Sequence, residues 1–340
     1  DFRFKARVWE MNYTPSVCTS CSNNCSVDVW IRDNEVLRLT PRENAAVNQF
    51  WMCDEGRLNY AKYNENRVNG AKVKGDVPAE LDAALQQVAG LLTQAKGKVL
   101  FIGSPFASLE SNLALKQLAQ MYGDGTVYYT KHTQAGWGDN FLRKDDRTPT
   151  TAGCELLHFK AISEDELTSK CKQHEVVYML ENGLLAEKLA PVMDHHKFIV
   201  HASNYFAGHE KATVLLPVAT EIEAPGIFIN EKHIPQVTMQ ARQIKQMTPD
   251  MWMAMAKSRL DAGGVSVDNW RHPENIIDCL PGWMLISKIS KHLKQDLGYT
   301  KHKDIFTKAK TLHESLKDLP LNTKQRKESF KMSQMEFAIN

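Results

Sequence analysis

The sequence predicts an α/β protein in which a small β-rich unit precedes a parallel α/β region and a helical, basic tail. Three observations lead to this prediction. Apolar and polar residues alternate with a period of two in much of the segment from residue 26 to 40. Short apolar runs alternate with helical patterns between residues 77 and 218. Apolar residues then recur at helical spacing after residue 281.

Length and composition set broad limits on the class of protein. The chain has 340 residues, 43% of them hydrophobic, which predicts two or three domains with a substantial core. It contains no run of eighteen apolar residues, so the sequence predicts no membrane-spanning helix. The chain begins at Asp1 without a methionine or a signal-peptide pattern. We therefore expect a chain that is processed or truncated at its amino end.

The β-rich unit is predicted from one hairpin. Residues 26–32 alternate as a strand, Asp33 and Asn34 form a turn, and residues 35–40 return as a second strand. A two-stranded hairpin alone is only marginally stable in water. We therefore expect a metal centre to cross-link this unit and stabilise its fold.

The middle of the chain predicts a parallel sheet, because its strand candidates are separated by helix candidates. Residues 131–153 lack periodicity and are interpreted as a long loop. Neither a G-x-G-x-x-G nor a G-x4-G-K-[ST] motif is present, so the sequence predicts no nucleotide site. The strand candidates are residues 98–103, 127–129, 176–180, 198–200 and 214–216, and the helix candidates are residues 109–121 and 184–193.

The carboxyl-terminal part combines an apolar stripe with positive charge. A short strand is predicted at residues 227–230, and the stripe consists of Ile286, Ile289, Leu293 and Leu297. Residues 281–340 contain twelve Lys and Arg against six Asp and Glu. We expect a helical docking surface for an acidic partner. The alternative is that the stripe packs on the chain's own sheet and that the charges form a solvated face.

The cysteine spacing indicates a specific chemistry. Cys18, Cys21, Cys25 and Cys53 follow the pattern C-x2-C-x3-C-x27-C. A close triplet with one distant cysteine is typical of a [4Fe-4S] cluster, in which each thiolate binds one iron. We therefore predict that these four residues are the metal ligands and the cofactor-binding residues. Such a cluster and unpaired cysteines fit a reducing cytoplasm.

Two alternatives to a cluster remain open at this point. Four-cysteine zinc sites usually consist of two separate C-x2-C pairs, which makes zinc the second choice. Structural disulfides are the third, because a chain of this size does not need them for stability.

The other candidate residues favour structural roles. Cys154, Cys171 and Cys279 are isolated in the sequence and are interpreted as small buried hydrophobic residues. Asp194, His195 and His196 are adjacent, but no other ligand type lies near them. We interpret them as the carboxyl end of a helix, where charges interact with the helix dipole.

Two segments resemble a known family. Residues 2–9, 15–18 and 51–57 are similar to the largest peripheral-arm subunit of bacterial NADH:quinone oxidoreductase, respiratory complex I. Residues 216–230 resemble a stretch that complex I shares with molybdopterin oxidoreductases. The resemblance is strong over about residues 1–68 and 214–231 and weak elsewhere.

The resemblance implies a fold and a role. It implies a [4Fe-4S] domain at residues 1–68, a reduced molybdopterin-oxidoreductase-like α/β domain at residues 69–220, and a turn-rich segment with a helical basic tail at residues 221–340. It also implies that the chain is the carboxyl-terminal portion of a longer electron-transfer subunit, with no catalytic site of its own. The partners would be other hydrophilic subunits on the cytoplasmic face of the inner membrane, without nucleic acid.

One departure argues against a pterin cofactor. Molybdopterin enzymes have a basic residue just after the fourth cysteine, where this chain has Asp54 and Glu55. We therefore predict one [4Fe-4S] cluster and neither molybdopterin nor nucleotide. The alternative functions are a molybdopterin-dependent oxidoreductase, such as a formate dehydrogenase, and a non-redox scaffold that binds zinc.

Overall fold

A three-stranded antiparallel sheet forms the amino-terminal unit of the computed structural model, which describes residues 4–139, 141–180, 183–249, 251 and 273–321. Its strands are β1 (Asn12–Val17), β2 (Ser26–Arg32) and β3 (Glu35–Pro41), in the order β1-β2-β3. The predicted hairpin is therefore confirmed as β2 and β3. Strand β1, an edge strand that contains Pro15, was not predicted. Proline is tolerated at a sheet edge but weakens a sequence-based strand prediction.

The larger sheet has eight strands and is mixed, so the prediction of a parallel sheet is only partly right. The strand order is β5-β4-β11-β10-β9-β6-β7-β8. The six strands from β11 to β8 pair in parallel, whereas β4 pairs antiparallel with both β11 and β5. The strands are β4 (Ala71–Val73), β5 (Val77–Ala79), β6 (Val99–Ile102), β7 (Val127–Tyr129), β8 (Lys160–Ala161), β9 (Val176–Met179), β10 (Lys197–Ala202) and β11 (Val214–Pro217).

Helices cover both faces of this sheet, and each face has its own apolar core. Consecutive residues of the central strands, such as Phe101 and Ile102, belong to different cores, as the period of two along a strand requires. The first core also receives residues from helices α2 (Leu81–Gln94) and α3 (Leu109–Tyr122) and from the carboxyl-terminal helices. The second core receives residues from α5 (Glu164–Cys171) and α6 (Gly183–Met193). Helix α4 (Thr151–Leu156) also lies in this part, whereas α1 (Asp54–Leu58) follows Cys53 and packs on β3 of the amino-terminal unit.

The predicted carboxyl-terminal stripe is buried within the chain itself. Helix α7 (Gly282–His292) packs on α2 and α3, and α8 (His302–Lys310) also contacts α3. Ile286 and Ile289 are fully buried, and Leu293 and Leu297 pack with them in the first core. The prediction that this stripe forms a docking surface for a partner is therefore wrong. The flexible end expected at residues 324–327 lies outside the described residues.

A further hairpin lies against the cysteine segment. Strands β12 (Gly226–Ile229) and β13 (Pro235–Thr238) pair antiparallel, and β12 corresponds to the strand predicted at residues 227–230. The Gln236 side chain donates to the Asn24 carbonyl at 2.7 Å and accepts from the Ser26 hydroxyl at 2.6 Å. Residues more than 200 positions later thus support the loop that carries three of the candidate ligands. The domain division at residues 68 and 220 stays a prediction.

Candidate metal centre

Three of the four predicted ligands lie on one short loop. Strand β1 ends at Val17 and β2 begins at Ser26, so Cys18, Cys21 and Cys25 all fall between them. The amide of Cys18 donates to the carbonyl of Cys25 at 2.8 Å, which closes the loop. Asn24 has a φ of +52°, a left-handed conformation that asparagine adopts more readily than most residues. The three cysteines are buried, with 5–7% of their surface exposed.

The fourth cysteine reaches the same place from a different element. Cys53 precedes helix α1, and its sulfur accepts a hydrogen bond from the Gly56 amide at 3.3 Å. A second donor, the Asn23 side-chain amide, lies 3.3 Å from the sulfur of Cys25. Hydrogen bonds of this kind favour thiolates and orient ligands around a metal. Cys53 is only half-buried, so it is the most accessible of the four.

Gly56 lies between two of the thiols. A Cβ atom at this position would lie 3.1 Å from the sulfur of Cys18 and 3.4 Å from the sulfur of Cys53. Only a residue without a side chain leaves the space beside both sulfurs open. The donor set and this open space fit a thiolate-bound cluster.

The electrostatics of the site show that the four thiols are near one another. Burial raises the pKa of Cys21 to about 11 and that of Cys25 to about 12, and the neighbouring thiols add to both increases. Burial also raises the pKa of Cys53, against the effect of the Gly56 amide. Without a metal these thiols would stay protonated at neutral pH, so metal binding would release protons.

A loop of the α/β region covers the site. The Arg147 guanidinium donates to Oε1 of Glu55 at 2.5 Å, and the Trp137 indole donates to Oε2 of the same carboxylate at 2.8 Å. Arg147 also donates to the carbonyl of Ser20 at 3.1 Å. This contribution was not predicted, because the loop sequence is aperiodic. The loop contains an aromatic residue, Trp137, near two arginines, Arg143 and Arg147, and this grouping could have indicated a contact with an acidic segment.

The four thiols are not arranged around a single metal position. In the described part of the chain, no group of three or more His, Cys, Asp or Glu side chains is arranged to hold a metal ion. A [4Fe-4S] cluster would bind each thiolate to a different iron, whereas zinc would bind all four sulfurs at about 2.3 Å.

The remaining candidate residues lie apart from this centre. Cys154, Cys171 and Cys279 are fully buried, and the first two lie in the two apolar cores of the α/β region. Asp194 forms an ion pair with Lys211 at 2.7 Å, and His196 Nδ1 lies 3.0 Å from the carbonyl of His174. The acid–histidine segment directly follows α6 and makes these structural contacts.

The carboxyl ends of the parallel strands enclose little space. This edge of a sheet is where open α/β folds bind their ligands, at the point where the strand order reverses. Here β6 and β9 are adjacent, and the chain leaves them toward opposite sides of the sheet. The cavity beside them has a volume of about 30 Å³ and is lined in part by Phe106, Phe228 and Trp283. That volume accommodates about one water molecule.

The comparisons first define a class of domain. Residues 11–65 match the family described as Molybdopterin oxidoreductase Fe4S4 domain. The match spans the loop between β1 and β2, Cys53 and α1, which together carry the four thiols. This segment is therefore similar to an iron–sulfur domain.

Individual relatives share a more specific name. The chain is 37% identical over 132 residues to the G subunit of NADH-quinone oxidoreductase from Pseudomonas putida. It is 40% identical over 138 residues to the G subunit from Pseudomonas fluorescens. Each match covers 38% of this chain and 14% of the relative. The G subunit from Escherichia coli (strain K12) is 38% identical over 116 residues, which is 33% of this chain and 13% of that protein.

These matches limit what the resemblance implies. The chain matches about one seventh of the length of these relatives, and the matched region lies in the amino-terminal part of this chain. The prediction that the chain is a carboxyl-terminal portion of such a subunit is not supported by them. Among the described residues, no helix has both the length and the apolar character needed to cross a membrane.

Proposed function

We propose that Cys18, Cys21, Cys25 and Cys53 each bind one iron of a single [4Fe-4S] cluster. The observation that carries this proposal is the open space at Gly56, where the sulfurs of Cys18 and Cys53 both lie within 3.4 Å of the position that a Cβ atom would occupy. The match of residues 11–65 to an Fe4S4 domain supports it independently. Such a cluster accepts and donates single electrons, and this chain's residues hold and shield it.

We further propose that the chain contributes to electron transfer in an NADH:quinone oxidoreductase. The relatives named above share the name of G subunit of NADH-quinone oxidoreductase, which supports this role. Other hydrophilic subunits of that complex would be the partners, and the chain would lie peripherally on the cytoplasmic face of the membrane. The catalytic reaction belongs to the complex, since we assign no catalytic residue to this chain.

The α/β region is proposed to bind neither molybdopterin nor a nucleotide. The cavity of about 30 Å³ at the carboxyl ends of β6 and β9 supports this for that edge of the sheet, because ligand pockets are about 300 Å³ or larger. A larger cavity of about 370 Å³ lies in the 136–146 loop, where acidic residues such as Asp139 and Asp145 disfavour phosphate groups. Asp54 and Glu55, the acidic residues after Cys53, argue against a molybdopterin less strongly than the sequence alone indicated. Glu55 is paired with Arg147, so its charge is partly neutralised by a residue from a distant loop.

The experiment is elemental analysis and spectroscopy of the full chain purified without oxygen. The proposal expects about four irons per chain, a brown colour, and an electron paramagnetic resonance signal after reduction. Zinc with no iron would favour the scaffold function. Stoichiometric molybdenum would favour a molybdopterin-dependent oxidoreductase. Either result would contradict the proposal.

A further inference from the structure

A charged network touches the cysteine loop beside Cys18. Thr19, the next residue, donates its hydroxyl to Oε1 of Glu221 at 2.5 Å. The Lys62 ammonium donates to the same hydroxyl at 2.7 Å and lies 3.4 Å from the Glu221 carboxylate. The Tyr63 hydroxyl also donates to Oε1 of Glu221, at 2.6 Å. One carboxylate and one ammonium group are thus both bound to the residue that follows the first ligand.

The carboxylate of this network is charged although it is nearly buried. The Glu221 side chain is 10% exposed, and burial alone would raise its pKa. The charge of Lys62 and the hydrogen bonds from Thr19 and Tyr63 outweigh burial and lower that pKa. Tyr63 is 1% exposed, and burial with the adjacent carboxylate raises its pKa well above the ordinary value, so it remains a donor.

We propose that Glu221 and Lys62 act as positioning residues that set the reduction potential of the cluster bound at Cys18. This inference rests on the proposed function. Reduction adds an electron, so a buried negative charge nearby favours the oxidised cluster and a positive charge favours the reduced one. Because Thr19 contacts both groups and is bonded to Cys18, their charges act at short range. The Glu221 side chain is poorly solvated, whereas that of Lys62 is 30% exposed, so the effect of Lys62 should be the smaller one.

Two other carboxylates that contact the cysteine segment, Glu55 and Glu231, are more exposed than Glu221 and therefore more strongly screened. Glu55 is paired with Arg147, and its side chain is 43% exposed. Glu231 accepts from the Ser22 hydroxyl at 3.1 Å, but it is paired with Lys144 and is 33% exposed. Water and counter-ions weaken the field of exposed charges, so Glu221 should have the largest effect on the potential.

The test measures the reduction potential by titration monitored with electron paramagnetic resonance on the full chain purified without oxygen. Glu221→Gln removes the negative charge and retains an oxygen that accepts from Thr19 and Tyr63. Lys62→Met removes the positive charge at similar length. Glu65→Gln is the matched control, because Glu65 is exposed and its substitution changes the net charge by the same amount. Iron content is measured for every variant.

We expect the reduction potential to shift in opposite directions in Glu221→Gln and Lys62→Met. Glu221→Gln should favour the reduced cluster by about tenfold, which is about 59 mV for a one-electron couple. Lys62→Met should move the potential in the negative direction, and Glu65→Gln should move it much less than Glu221→Gln. A structural role alone would loosen the loop in both variants and would not give shifts of opposite sign.

Several results would overturn the inference. Shifts of the same sign in Glu221→Gln and Lys62→Met would contradict it, and so would a Glu221→Gln shift no larger than that of Glu65→Gln. Loss of the cluster from both variants would assign the network a purely structural role. Absence of the cluster from the unaltered chain would instead contradict the proposed function, so the two failures are distinguishable.

Discussion

Arg147 and Glu55 join the α/β region to the cysteine segment through a hydrogen bond of 2.5 Å between guanidinium and carboxylate. Arg147 also lies over the ring of Trp137, with its central carbon 3.9 Å from the ring centroid. The loop is thus held over the site by a charge pair and an aromatic contact. Its position explains how Cys53, which lies near the surface, can remain half-buried.

Replacing Arg147 with Met should shorten the lifetime of the cluster. The loop would lose the bonds that Arg147 makes to Glu55 and Ser20 and keep the one from Trp137 to Glu55, so water would reach the thiols more easily. Loss of such supporting contacts commonly weakens metal binding by roughly tenfold or more. The measurement is the rate of bleaching by an iron chelator in the absence of oxygen.

Lys131→Met is the control for this loop. Lys131 pairs with Glu155 at 3.0 Å, and both side chains are more than 40% exposed. Its loss removes one positive charge without touching the cysteine segment. Equal bleaching rates in the Arg147 variant and the unaltered chain would show that the loop does not protect the centre.

Replacing any one of Cys18, Cys21, Cys25 and Cys53 with Ala should lower the iron content severalfold. Cys18 and Cys25 lie within the apolar cluster of the small amino-terminal unit, and metal binding is coupled to folding, so residues 1–68 should also lose stability. Iron analysis and thermal unfolding are the two measurements. Cys171→Ala is the matched control, because this thiol is fully buried in the second core of the α/β region. Unchanged iron content in all four variants would exclude the assignment.

Gly56→Ala should reduce cluster incorporation while leaving the helix formed. The new methyl group would lie 3.1 Å from the sulfur of Cys18, which is closer than most carbon contacts allow. Overpacking of this kind costs about 1–3 kcal/mol. The iron content after reconstitution measures the effect.

Gly90→Ala provides a control for the loss of glycine itself. Gly90 is exposed within α2, and a Cβ there meets no atom within 4 Å. The substitution should stabilise the chain by up to about 1 kcal/mol without changing its iron content. Normal iron binding by Gly56→Ala would show that the space between the two sulfurs is not needed.

Local patterns predicted the parts of the fold that depend on nearby residues. The alternation in β2 and β3 and the period of α3 are properties of short segments, and the structure confirms these elements. Ile286 and Ile289 were recognised as an apolar stripe, but the stripe does not reveal which surface covers it. In the structure that surface belongs to α2 and α3 of the same chain.

The contacts that complete the candidate site are remote in sequence and were not predictable. Glu55 and Arg147 are 92 positions apart, and Thr19 and Glu221 are 202 positions apart. Polar and charged residues of these types usually occupy the surface, and nothing in their sequence positions indicates that the fold brings them together. The cysteine triplet was recognisable because its members lie within eight residues.

Arg67 and Glu223 form a buried ion pair that should stabilise the junction between the cysteine segment and the α/β region. Two hydrogen bonds of 2.5 and 2.6 Å join the guanidinium to the carboxylate, and both side chains are at most 3% exposed. Arg242 adds a second positive charge 3.7 Å from the carboxylate. Replacing Arg67 with Met leaves an incompletely paired buried carboxylate and should cost about 3–5 kcal/mol, measured by denaturant unfolding.

The same pair predicts how stability depends on pH. Burial alone would raise the pKa of Glu223, but Arg67 and Arg242 lower it from its ordinary value of 4.5 to about 2. A lowered pKa in the folded state gives stability that is present above pH 4.5 and is lost as the pH falls from 4.5 towards 2. Glu223→Gln should remove this part of the acid sensitivity, whereas Glu314→Gln, at an exposed site paired with Lys317, should not. Equal losses of stability between about pH 5 and 2.5 in both variants, measured by unfolding at each pH, would contradict the assignment to Glu223.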